Sequence, residues 1–79
     1  METSYTIEDK ELLQKVGERI RFFRIESGLS QEKLSFECNL DRTYIGSVER
    51  GERNIALINL NKLSKALNVS ISKLLEIEI

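Results

Sequence analysis

Seventy-nine residues make one domain near the lower size limit for a self-supporting hydrophobic core, where disulfides, a metal or a partner subunit usually add stability. One cysteine and no histidine exclude an internal disulfide and an ordinary zinc site, which leaves oligomerisation. The net charge of −1 divides into −3 over residues 1–13, +4 over residues 14–75 (eleven Lys and Arg against seven acids) and −2 from Glu76 and Glu78, so a basic middle suited to phosphate lies between acidic ends.

Thr6 and Asp9 resemble a capping box, with aspartate in place of the usual glutamate. The spacing of Leu13, Val16, Ile20 and Phe23 predicts a long helix from there to about Ser27, with Gly28 as its stop. Ser30 then caps a second helix, Gln31 to Cys38, and Glu32 suits its first turn. Asn39 tolerates the left-handed backbone of a tight turn, Leu40 lies in that turn, and Asp41 can cap a third helix by accepting from the N–H of Thr43 or Tyr44. This third helix is predicted over about Arg42 to Arg50, ending at Gly51. After the polar loop Glu52-Arg53-Asn54, the series Leu57, Leu60, Leu63, Ala66 and Leu67 predicts a fourth amphipathic helix, with Asn54 a candidate cap and Asn68 its end. Ser70 and Ser72 open a short fifth helix through about Leu75. The last five residues alternate apolar and acidic, which is too short a run to argue a strand.

The fold class is therefore all-α, five helices around one core in a single domain spanning residues 1–79. No signal peptide or run of the ~18–20 apolar residues of a membrane span is present, so a soluble, cytoplasmic protein is expected. Cys38 is expected to be a reduced, buried small hydrophobe rather than a reactive thiol.

Residues 31–50 carry the most information. Leu34 and Cys38 are four apart on one helix, Ile45 and Val48 are three apart on the next, and Ser35 is small where crossing helices approach. That is a helix-turn-helix whose second helix points Arg42, Thr43 and Tyr44 outward from its first turn, with Ser47 on the same face. Arg42 can donate twice to a guanine edge or hold a phosphate. Thr43 can touch a thymine methyl or base edge, or serve as a second cap. Tyr44 can pack on sugars or methyls and bind phosphate through its hydroxyl, or simply pack on the surface. Gly46 either leaves room for the groove or permits close helix packing. Gln31 at the start of the second helix, with Arg50, Arg53 and Asn54 in the flanking loop, forms a candidate set for the DNA backbone.

From about Val16 to Leu75 the chain resembles the Cro and lambda-repressor-like helix-turn-helix family, through Gly17, Ile20-Arg21, Arg24, Gly28-Leu29-Ser30-Gln31, Leu34, Ile45, Glu49-Arg50-Gly51 and Leu63/Leu67. Leu40-Asp41-Arg42-Thr43-Tyr44-Ile45 followed by Glu49-Arg50-Gly51-Glu52-Arg53-Asn54 is most similar to the controller proteins of restriction–modification systems. The chain departs from the family in having Ser35 where alanine is common, Asn39 where glycine is common, and Ile55-Ala56 where relatives start the fourth helix with serine. The resemblance implies a structural ion pair between Arg24 and Glu49 that locks the reading helix to the scaffold, and it allows Arg53 to reach bases. It also implies a homodimer that activates or represses genes of its own system by binding palindromic operators, with RNA polymerase a further partner through Glu49, Glu52 or the acidic first helix.

The C-terminal segment, about residues 70–79, holds Ile71, Leu74, Leu75, Ile77 and Ile79, more aliphatic surface than so short a helix can bury. With Ile58 of the fourth helix these form a candidate two-fold interface, the alternative being a core cap with a frayed tail. Such a dimer would set two recognition helices ~34 Å apart, one DNA turn. Other readings are a phage-type repressor, an antitoxin-like regulator, or a helical protein–protein module without DNA affinity. No cofactor, metal or small-molecule ligand is expected. Without histidine or a Gly-rich phosphate loop, the chain lacks the usual catalytic constellations.

Overall fold

The computed structural model describes residues 4–78, and the ends of its helices follow from local chemistry. Helix α1 (Ile7–Glu26) opens on the capping box: Asp9 N–H donates to Thr6 Oγ1 at 3.0 Å and Thr6 N–H donates to Asp9 Oδ2 at 2.9 Å. It ends where Gly28 adopts φ +73°, and the N–H groups of Gly28 and Leu29 donate back to the carbonyls of Ile25 and Arg24. Helix α2 (Gln31–Cys38) is capped by Ser30, which accepts from the Lys33 N–H. Asn39 makes the left-handed turn at φ 57°, and Asp41 caps α3 (Arg42–Glu49) by accepting from the Thr43 N–H at 3.3 Å. Helix α3 stops one residue short of the predicted end, because Gly51 at φ +77° lets the Glu52 N–H donate to the Ser47 carbonyl. Helix α4 (Leu57–Leu67) and α5 (Ile71–Leu74) complete the chain, α5 capped by Ser70. Among the described residues there is no strand, and no helix is long and apolar enough to cross a membrane.

One cap differs from expectation. Ala56 rather than Asn54 stands at the start of α4 and makes no side-chain cap bond, because residues 52–56 remain irregular two positions past Asn54.

Helix α1 packs on α3, α4 and α5; α2 packs on α3 and α4; and α4 carries α5. Their meeting faces bury Val16, Ile20, Leu34, Cys38, Ile45, Val48, Leu60, Leu63, Leu67 and Leu74. Burial pushes the Cys38 thiol up, which favours the inert thiol. Two aliphatic assignments change. Leu74, expected at a dimer interface, is fully buried in the core, because α5 lies with that position turned onto α1 and α4. Leu57, expected on the buried stripe of α4, is 70% exposed, whereas Leu60 is 4% exposed, so the buried stripe begins one turn later than the leucine spacing suggests. Of the other candidate interface residues, Ile58 and Leu75 are exposed, Ile71 and Ile77 are half-buried against the core, and Ile79 lies outside the described residues.

The C-terminal tail is strapped to α1. Lys15 Nζ donates to the Glu78 carbonyl, and Arg19 Nη2 donates to the Lys73 carbonyl at 2.8 Å while pairing with Glu76 at 3.5 Å. The Arg19 guanidinium also lies 4.8 Å above the Phe23 ring.

At Gly17 the backbones of α1 and α3 meet too closely for a side chain. A Cβ there would stand 2.6 Å from the Glu49 carbonyl oxygen and 2.9 Å from its carbon, and closer still to the Val48 oxygen, all backbone atoms. In an exposed helix Gly→Ala would stabilise. Here Gly17→Ala should instead destabilise by about 1–3 kcal/mol, since α3 must shift off α1. Urea unfolding measures it, and a stability equal to or above wild type would mean that this contact does not fix the reading helix.

Candidate nucleic-acid interface

Helix α3 is held from behind by charge. Arg24 Nε donates to Glu49 Oε2 at 2.6 Å and Arg24 Nη2 donates to Glu49 Oε1 at 3.0 Å, a two-pronged contact between side chains 12% and 2% exposed. Arg24 Nη1 also donates to the Leu29 carbonyl at 2.8 Å, so one guanidinium ties the end of α1, the turn before α2 and the end of α3. Glu49 Oε1 accepts a further bond from Gln31 Nε2 at 3.0 Å. Gln31 thereby gains a structural role beside the one expected of it: one amide hydrogen goes to the buried carboxylate, while the side chain is half-exposed and its second amide hydrogen has no partner among the described residues. Gly46 leaves room for these side chains, since a Cβ there would lie 3.2 Å from Arg50 Nη1 and 3.3 Å from Gln31 Oε1 and each would have to give by a few tenths of an ångström.

The other side of α3 is open only at its start. Arg42 and Thr43 are exposed, and Arg42 enters no ion pair among the described residues. Tyr44 is half-buried against the core, with the Arg53 guanidinium 5.6 Å from its ring centre and Asn59 Nδ2 donating to its hydroxyl at 3.2 Å. Ser47 does not share this face. It is 6% exposed and its hydroxyl donates to the Tyr44 carbonyl at 2.7 Å, because residues 45–49 are enclosed between α1 on one side and α2 on the other.

Beyond α3, Arg50 chelates Glu52 at 3.0 and 3.2 Å in solvent. Those hydrogen bonds hold the Glu52 carboxyl below its ordinary range and the Arg50 guanidinium above its own. A phosphate binding Arg50 must displace a carboxylate, whereas Arg53 leans on an aromatic ring and donates no side-chain hydrogen bond among the described residues. Asn54 is exposed beside it.

Arg42 and Thr43 thus stand exposed at the start of α3, Tyr44 and Arg53 form a pair beside it, Arg24, Glu49 and Gln31 form the lock at its far end, and Ser47 belongs to none of these. Asn59 escaped the sequence reading. Its only signal there was an amide in the first turn of a helix otherwise read for its leucines, and its link to Tyr44 spans fifteen positions.

Comparison with known proteins places these elements in context. A family model described as helix-turn-helix matches residues 20–74. The control protein C.BamHI of Bacillus amyloliquefaciens is 52% identical over 61 residues, covering 76% of this chain and 75% of that protein. The control protein C.SmaI of Serratia marcescens is 53% identical over 66 residues, covering 84% of this chain and 75% of that protein. Among solved structures, the restriction–modification controller protein C.AhdI of Aeromonas hydrophila superposes with a TM-score of 0.77 at 50% identity, covering 78% of this chain and 94% of that one.

Proposed function

The chain belongs to the helix-turn-helix family of DNA-binding transcription regulators, and we propose that it works as a homodimeric controller of restriction–modification genes, reading a palindromic operator through α3. It is a regulator and not an enzyme. The observation that carries the operator assignment is the contrast along α3: its rear is locked by Arg24, Glu49 and Gln31, while Arg42 and Thr43 stand free at its start. A helix locked in place and presenting unpaired donors can discriminate base edges, because the backbone that carries those donors needs no reordering on binding.

In this reading Arg42 and Thr43 contact bases in the major groove, and the Tyr44 hydroxyl contacts the phosphate or sugar edge. Arg53 and Asn54 hold the backbone, joined by Arg50 once it releases Glu52. The exposed Leu57, Ile58 and Leu75 supply the two-fold contact. The controller role adds RNA polymerase as a partner and the cytoplasm as its place of action, with the acidic first turn of α1 (Glu8, Asp9) or Glu52 as candidate contacts.

Selection from random duplex DNA at physiological salt tests the proposal. An inverted repeat with half-sites one turn apart supports it; absence of enrichment would leave a helical protein–protein module. Arg42→Ala should then lose about 1–3 kcal/mol of discrimination at one or two operator positions. Equal weakening on all sequences would reassign Arg42 to phosphate.

A further inference from the structure

Tyr44 stands at the edge of the reading surface, and a tyrosine hydroxyl can either donate or accept. Three contacts restrict it. Packing against the core and the Arg53 guanidinium 5.6 Å from the ring centre fix the ring. Asn59 Nδ2, from the first turn of α4, donates to the hydroxyl oxygen at 3.2 Å. We infer that Asn59 is a positioning residue for DNA recognition: by donating to the Tyr44 hydroxyl it leaves that group's hydrogen pointed outward, so that Tyr44 meets DNA as a donor to a phosphate or base acceptor. The inference rests on α3 being the DNA-facing helix.

The chemistry is directional. The Asn59 amide nitrogen has only hydrogens to offer, so the tyrosine oxygen must accept, and its own O–H seeks an acceptor elsewhere. DNA supplies acceptors in plenty along the backbone and at the base edges. Because both partners sit on helices rather than loops, the hydroxyl is held before DNA arrives and little order is lost on binding. The device joins the first turn of α4, outside the helix-turn-helix, to Tyr44, so a residue of α4 enters operator affinity through the hydroxyl it orients.

Asn59→Asp reverses the polarity, since a carboxylate only accepts and would draw the tyrosine hydrogen inward. The same change places an acidic residue in the first turn of α4, where none stands now and where the helix dipole favours one. The melting temperature of Asn59→Asp should therefore hold or rise while operator affinity falls, a separation that a purely structural role for Asn59 does not produce.

Repulsion between the new carboxylate and DNA is removed by a double-mutant cycle with Tyr44→Phe, read as dissociation constants for the selected operator at fixed salt. Tyr44→Phe should weaken binding by about tenfold, the worth of one hydrogen bond near the upper end of the usual range, and Asn59→Asp by that factor multiplied by the carboxylate's repulsion. The double variant should fall short of the product of the two single losses by about that same factor, because both changes remove one outward bond. Single losses that multiply fully in the double variant would overturn the role of Asn59. Wild-type protein that selects no operator would overturn the DNA-reading assignment itself, before the cycle is run.

Discussion

Arg24→Met should cost the fold about 3–5 kcal/mol, the usual penalty for stranding one partner of a buried ion pair. The Glu49 side chain is 2% exposed, and methionine leaves its Oε2 with no donor and its Oε1 with Gln31 alone. The Leu29 carbonyl loses its Arg24 bond in the same stroke. In a domain of this size each kcal/mol moves the melting temperature by roughly 4–8 °C, so a fall of more than ten degrees is expected. Replacing both partners by apolar residues of similar shape, Arg24→Met with Glu49→Leu, should recover much of the loss, because no charge is then left buried. Calorimetry or a circular-dichroism melt decides it. A single variant melting within a degree or two of wild type would mean that water reaches Glu49 and that the lock on α3 lies elsewhere.

The distinction matters for any functional assay. At a temperature where Arg24→Met is partly unfolded, its DNA affinity falls on every sequence in proportion to the folded fraction. Arg42→Ala, whose side chain is exposed and outside every ion pair among the described residues, should instead leave the melt alone and change the sequence preference.

Where the chain's chemistry is local, its fold could be read directly. Thr6 with Asp9, Ser30, Asp41 and Ser70 each name a helix start, and Gly28, Asn39, Gly51 and Asn68 each name a stop, since each depends on atoms a few positions away. Contacts across the fold were less legible. Ser47 has the right helical offset from Tyr44 to share its face, yet α1 and α2 enclose it, and a helical wheel does not show which neighbours arrive. Leu74 and Leu75 are equivalent in composition, but one is fully buried and the other 44% exposed, a difference set by how α5 turns onto α1 and α4. The Gln31–Glu49 bond and the Asn59–Tyr44 bond likewise join residues far apart in sequence. The Arg24–Glu49 contact is as distant, and was anticipated only through the family resemblance.

Ile58→Asp should separate the two halves of the regulator. Ile58 is 71% exposed beside Leu57 at 70%, on the side of the first turn of α4 that faces solvent, so its replacement leaves the protomer's packing untouched. Aspartate at the second position of a helix also suits the helix dipole, which favours a folded protomer. A charge on each side of a two-fold contact, however, faces its own copy, and the like pair is desolvated together. Sedimentation should then report a monomer at concentrations where wild type is dimeric. Losing the second half-site removes the effective-concentration advantage of a linked pair, so operator affinity should drop by about 10²–10⁴-fold. Phe36→Asp supplies the control: Phe36 is 81% exposed but lies on α2, so the same change of charge there should leave the oligomeric state alone. Dimerisation that survives Ile58→Asp and fails with Phe36→Asp would move the two-fold axis from α4 to α2, and with it the spacing at which two copies of α3 can meet the DNA.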